Sequence, residues 1–211
     1  AGGSVIFQGS DDLSYYTPSS GYVIFGSSEF TGMTAYLGTP GDDTLTGTPA
    51  AEIFYARDDD DTLIGGGGAD TILGGRGRDI IRISDLNFLR IDGGNGDFFS
   101  DDEENDTLSL DGSGMNLDLT AAGGKVTHIE TIDLSGTGNN TLTLTAADIL
   151  NLSRGVGNDN DTLIVKGNAG DQIIGLSSGW VDRGFQGEFH RFSTQDGAVL
   201  MVADAVSTDF V

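Results

Sequence analysis

The chain has 211 residues, with 33 acidic side chains against 10 basic ones and a formal charge of −23. That charge excludes phosphate-backbone binding, so nucleic acid is set aside, and it disfavours an anionic membrane surface. Cysteine is absent, which excludes disulfides, thiolate zinc sites and a cysteine nucleophile and leaves a secreted chain of this kind in need of another staple.

In chain order, residues 1–37 alternate apolar strands at 5–7, 22–25 and 34–37 with Ser/Gly turns, and carry Tyr15, Tyr16, Tyr22 and Tyr36. From Gly38 the chain repeats every nine residues: GTPGDDTLT, GTPAAEIFY, ARDDDDTLI, GGGGADTIL and GGRGRDIIR, five units ending at Arg82. The sixth place holds Asp43, Glu52, Asp61, Asp70 and Asp79, and the eighth holds Leu45, Phe54, Leu63, Ile72 and Ile81. Partial copies follow at irregular spacing over 92–97, 105–112, 139–144 and 157–171, which predicts further coils of a wider strand solenoid carrying loops. A short helix is expected over 146–152, with Thr145 as its cap and Asp148 completing a capping box. Residues 180–203 read as a closing hairpin, EFHRFS, a turn at Asp196 and Gly197, then AVLMVA. No apolar run approaches the ~20 residues of a membrane span, and no signal-peptide pattern opens the chain, so a monomeric module of a larger protein, or one exported without such a signal, is expected.

The nonapeptide resembles the G-G-x-G-x-D-x-U-x pattern of the RTX (repeats-in-toxin) family. The resemblance implies an all-β fold, a calcium-bound parallel β-roll with flanking antiparallel strands and one short helix. In such a roll, units starting at 38, 56 and 74 line one side and those at 47 and 65 the other. Stacked turns then lie about one strand spacing, ~4.8 Å, apart. Two carboxylates at that distance repel by roughly 1 to 3.5 kcal/mol, and a hard cation with oxygen ligands answers this better than magnesium, which keeps its waters. The expected pairs are Asp43 with Asp61, Asp61 with Asp79, and Glu52 with Asp70, completed by carbonyls of Gly38, Gly41, Gly65, Gly68, Gly74 and Gly77. Asp59 stands where the pattern has glycine. Asp92, Asp97, Asp106, Asp159, Asp161 and Asp171 are further calcium candidates, and 101–104 is a second acidic run.

No enzyme is expected. The two histidines, His128 and His190, both fall in alternating segments that read as strands, and neither a nucleophile elbow nor a zinc-binding HExxH occurs. The stretch from residue 117 onward, with GW at 179–180 and the closing hairpin, resembles modules of large RTX adhesins of Gram-negative bacteria. The nearest in kind is their calcium-dependent peptide-binding domain. That resemblance implies an extracellular module at the bacterial cell surface that captures C-terminal ends of peptides or proteins on another cell, without membrane insertion. Capturing a carboxylate in so acidic a chain needs a local positive feature, for which Arg57, Arg76, Arg78, Arg82 and the 65–68 loop are candidates. Tyr15, Tyr16, Tyr55 and Trp180 are candidates for an aromatic wall. The alternatives are a folding and secretion unit whose only ligand is calcium, and a module for neutral polysaccharide.

Overall fold

The computed structural model describes residues 32–94, 105–152 and 162–210, together with two short strands near the N-terminus. Two compact units divide at residue 35. In the first, β1 (Ile6–Phe7) and β2 (Ile24–Phe25) pair in parallel, Ile6 opposite Ile24. The second, Tyr36–Val211, contains the repeats.

Each nonapeptide ends in a strand with its eighth residue turned to the core; the neighbours of that residue are more exposed in β4, β6 and β8, whereas Ile53, Thr71 and Leu73 beside Phe54 and Ile72 are buried as well. β4 (Thr44–Thr46), β6 (Thr62–Ile64) and β8 (Ile80–Ile83) stack in parallel as one sheet. β5 (Glu52–Arg57) and β7 (Thr71–Gly75) stack as another, with β3 (Thr34–Leu37) beyond β5 and β9 (Arg90–Gly94) beyond β7. Alternate units therefore occupy alternate sheets, as the roll requires.

The first sheet continues past the repeats through β10 (Thr107–Leu110), β13 (Thr131–Asp133), β15 (Thr162–Lys166) and β19 (Val199–Ala203), all parallel. Leu45, Leu63, Ile81, Leu108, Ile132, Val165 and Val202 form one column down it. From Leu63 onward this column is at most 1% exposed, and each such side chain contributes roughly 1.5 to 3 kcal/mol by its burial. The second sheet ends at β12 (Val126–Thr127), and a third takes over from β11 (Asn116–Asp118) through β14 (Thr141–Thr143) and β16 (Gln172–Ile174) to β20 (Ser207–Thr208). The coils widen there because the segments between strands of the first sheet lengthen from the strict 18 residues of the repeat region, seen in Leu63 opposite Ile81, to cases such as Ile132 opposite Val165.

The helix α2 (Ala146–Leu152) forms where its caps place it. The Thr145 N–H donates to Asp148 Oδ2 at 2.7 Å, and the Asp148 N–H reaches Thr145 Oγ1 at 3.4 Å. A second short helix, α1 (Leu119–Ala122), was not anticipated; Asp118 caps it by accepting the N–H groups of Thr120 and Ala121.

Two expectations need correction. The closing hairpin is a three-stranded meander, because β17 (Val181–Gln186) pairs with β18 (Phe189–Ser193), which pairs with β19. A bulge between Asp182 and Phe185, with Gly184 at φ 77°, breaks the alternation by which a strand is recognised in sequence. His128 is not a strand residue: the chain turns at it with φ 52°, and its N–H donates to Leu152 O at the end of α2. His190 lies within β18 as expected.

Candidate metal centre

The acids of the repeat form a ladder along the stacked turns. The Asp43 N–H donates to Asp61 Oδ1 at 2.7 Å, and the Asp61 N–H to Asp79 Oδ1 at 2.9 Å, each across 18 residues. On the other side the Glu52 N–H donates to Asp70 Oδ1 at 2.9 Å, again across 18. Each carboxylate thus spends one oxygen on fixing the preceding coil, while the other is left facing its own turn. Glu52, Asp61, Asp70 and Asp79 are all at most 3% exposed. Taking such charges out of water is costly unless a partner answers them.

What answers the second oxygen depends on the second residue of the unit. In the first two units that residue is threonine, and the turn closes on its own acid: Thr39 Oγ1 donates to Asp43 Oδ2 at 2.9 Å, and the Thr48 N–H to Glu52 Oε2 at 2.8 Å. In the next three units it is Arg57, Gly66 or Gly75, at φ 97°, 80° and 124°. Asp61 Oδ2 is buried there without a hydrogen-bond partner. Burial, reinforced by Asp43 and nearby acids against the opposing backbone N–H bond, pushes the Asp61 carboxyl up to about 6, and burial likewise pushes Asp70 up to about 7.

The leading glycines complete a cradle. A Cβ added at Gly74 would sit 2.1 Å from Asp79 Oδ2 and 2.2 Å from Gly93 O, and one at Gly65 would meet Asp70 Oδ2 at 2.9 Å. Gly38 packs equally close to backbone of the next coil, and Gly68 and Gly77 to backbone of the preceding one, whereas Gly41 has open space. Carboxylate and carbonyl oxygens therefore lie together at Gly74 and at Gly65, a donor set for a hard cation such as Ca²⁺. Among the described residues no three acidic or histidine side chains converge on one point, so such an ion would draw its remaining ligands from turn carbonyls. Asp61, Asp70 and Asp79 would hold it; its charge would replace the stacked carboxylates' repulsion by attraction.

Other candidates fall differently. The ladder runs two coils further than the strict repeat, since the Asp79 N–H donates to Asp106 Oδ1 at 2.7 Å and the Asp106 N–H to Glu130 Oε2 at 2.8 Å. Glu130 escaped the sequence reading, though the acid-Thr-apolar triplet that marks Asp61, Asp70 and Asp106 recurs as Glu130-Thr131-Ile132. Asp85 also escaped it: its Oδ2 accepts the Gly68 N–H at 3.2 Å, delivered by a loop that no periodicity marks. Asp171 sits in a parallel arrangement with both oxygens committed, to the N–H groups of Asn140 and Asn168. Asp92 is taken by Arg90 Nη2 and His128 Nδ1, each at 2.6 Å, and His128 and Arg90 hold its carboxyl below the usual range against the burial that would raise it. Asp59 is exposed, at φ 72°. Tyr15, Tyr16, Asp97, Asp159, Asp161 and the 101–104 run lie outside the described residues.

The ligand candidates are not one cluster. Tyr55 and Arg57 end β5, near enough to Arg76 for both guanidiniums to act on the Tyr55 hydroxyl. Arg76 pairs with Asp58 at 3.6 Å, Arg78 with Asp60 at 2.7 Å and Arg82 with Asp111 at 2.8 Å. Trp180 lines a separate cleft in which none of these takes part.

No helix among the described residues is long and apolar enough to cross a membrane. No curated protein and no solved structure matches the chain. Residues 46–81 match the family model of the RTX calcium-binding nonapeptide repeat (4 copies), a repeat typical of secreted proteins. The segment that supplies the open turns is therefore similar to an RTX calcium-binding repeat, which supports Ca²⁺ as the ion those turns take.

Proposed function

We propose that the chain is the calcium-folded, non-catalytic ligand-binding module of an exported bacterial surface adhesin, and that it captures C-terminal ends of proteins on a partner cell. Calcium outside the cell closes the open turns, and the stacked coils then present a rigid surface. The observation that carries the ligand reading is Arg57. It takes a glycine's place in the repeat at φ 97°, and its Nε is buried without a hydrogen-bond partner. A backbone held so is strained by about 1 to 3 kcal/mol, and strain of that kind concentrates at binding sites. With Tyr55 and Arg76 beside it, Arg57 offers a free carboxylate the donors that an acidic chain otherwise lacks.

A peptide array with free and with amidated C-termini, probed in calcium and in EGTA, tests this. Binding confined to free C-termini in calcium, and lost in Arg57→Gly, supports capture. Silence in every arm returns the chain to a folding and secretion unit whose ligand is calcium alone.

A further inference from the structure

Away from the ladder, a cleft of about 640 Å³ opens between the N-terminal end of α2, the 175–181 segment and the 194–196 turn of the meander. Its volume lies within the range of pockets that hold small organic ligands. Trp180 forms part of its lining with only 8% of the residue exposed.

The walls are pinned from outside the cleft. Asp209, near the end of the chain, accepts the N–H of Leu176 at 2.7 Å and that of Gly175 at 3.0 Å, fixing one wall. The Thr145–Asp148 capping box fixes a second, and the Thr194 N–H, bonded to Ala198 O at 3.0 Å, fixes the third. Preorganised walls of this kind reduce the ordering cost of binding.

The lining chemistry selects the ligand. Ser178, Thr194, Gln195 and Trp180 line the cleft with one charged residue, Asp196, and no lysine, arginine or histidine lines it. An anion would meet Asp196 and the field of a chain at −23 without a compensating cation. The Thr194 hydroxyl is buried and has no hydrogen-bond partner, and a buried hydroxyl left unmade is costly. An aromatic face carries negative charge that attracts polarised C–H groups, and hydroxyl and amide groups exchange hydrogen bonds with hydroxyls. From these observations we infer that the Trp180 cleft is a second binding site, for a neutral sugar, separate from any peptide site at Arg57.

Trp180 is the chain's single tryptophan, so its emission reports on the cleft. The whole chain, loaded with calcium, is titrated with glucose, galactose, mannose, N-acetylglucosamine, maltose and lactose, and with glucuronic and sialic acid as anionic controls. A saturable change in emission with at least one neutral sugar, half-complete at or below ~1 mM, is expected. Thr194→Val and the rim variant Gln195→Ala each weaken it about 3- to 10-fold while the melting curve is retained. The inference is overturned if no neutral sugar changes the emission, if an anionic sugar binds as tightly, or if binding to Gln195→Ala and to a folded Thr194→Val is unchanged. Peptide capture at Arg57 can fail without touching this result, because the two probes and the two sets of variants are disjoint.

Discussion

Asp43 and Asp61 are joined across one full coil: the N–H of the first donates to Oδ1 of the second at 2.7 Å, while Asp61 Oδ2 stays buried without a hydrogen-bond partner. One carboxylate thus serves two purposes, a backbone rung and an unmet ligand. Asp61→Asn separates them. The amide oxygen keeps the rung, and loss of the buried charge removes a penalty in the metal-free protein. Without calcium the variant should be more stable than the parent by about 1 kcal/mol, and in calcium less stable by about 1 to 3 kcal/mol. Thermal melts in EGTA and in calcium check whether the sign reverses.

The pH dependence of the chelated protein follows from the same burial. Asp61 and Asp70 are raised from 3.8 to about 6 and about 7 in the fold. A carboxyl raised by folding stabilises the fold in its protonated form, so this contribution is full below about pH 4 and is lost as pH rises through 6 to 7. In EGTA the melting temperature should fall between pH 5 and pH 8. Calcium requires the ionised carboxylates, so its apparent affinity should rise over the same interval. Melts and calcium titrations across pH 5 to 8 read both trends.

The cradle makes a steric prediction. A Cβ at Gly74 would lie 2.1 Å from Asp79 Oδ2, whereas one at Gly41 would meet nothing within 4 Å. Gly74→Ala should therefore destabilise the calcium form by about 1 to 3 kcal/mol and weaken calcium binding, with Gly41→Ala near neutral. Differential scanning calorimetry of the pair compares them directly.

Arg57→Gly tests stored strain. Glycine adopts φ 97° without steric cost. The substitution should raise stability by about 1 kcal/mol, after allowing for glycine's greater freedom when unfolded. A gain in the denaturation midpoint together with loss of carboxylate capture in the array is the expected combination.

Much of this was legible because a nine-residue period dictates both the inward column and the acid ladder; Leu63 over Ile81 and Asp61 over Asp79 are the same spacing seen from two sides. The helix over 146–152 was equally readable, since Thr145 and Asp148 specify its cap locally. Asp85 was not, because it reaches the Gly68 N–H from a loop whose path is set by packing rather than period. Nor was the open or closed state of each turn, which depends on the φ of residues such as Thr48 and Arg57. The meander strand at 181–186 was hidden by its bulge, and the histidine at 128 by a turn that interrupts an alternating run.

The most direct measurement is an anomalous difference map, at a wavelength where calcium scatters anomalously, from crystals grown in millimolar calcium. Peaks beside Asp61, Asp70 and Asp79, ringed by turn carbonyls, are predicted. A map with no peak at any of the three, from a protein whose melting temperature is also unmoved by EGTA, would contradict the account.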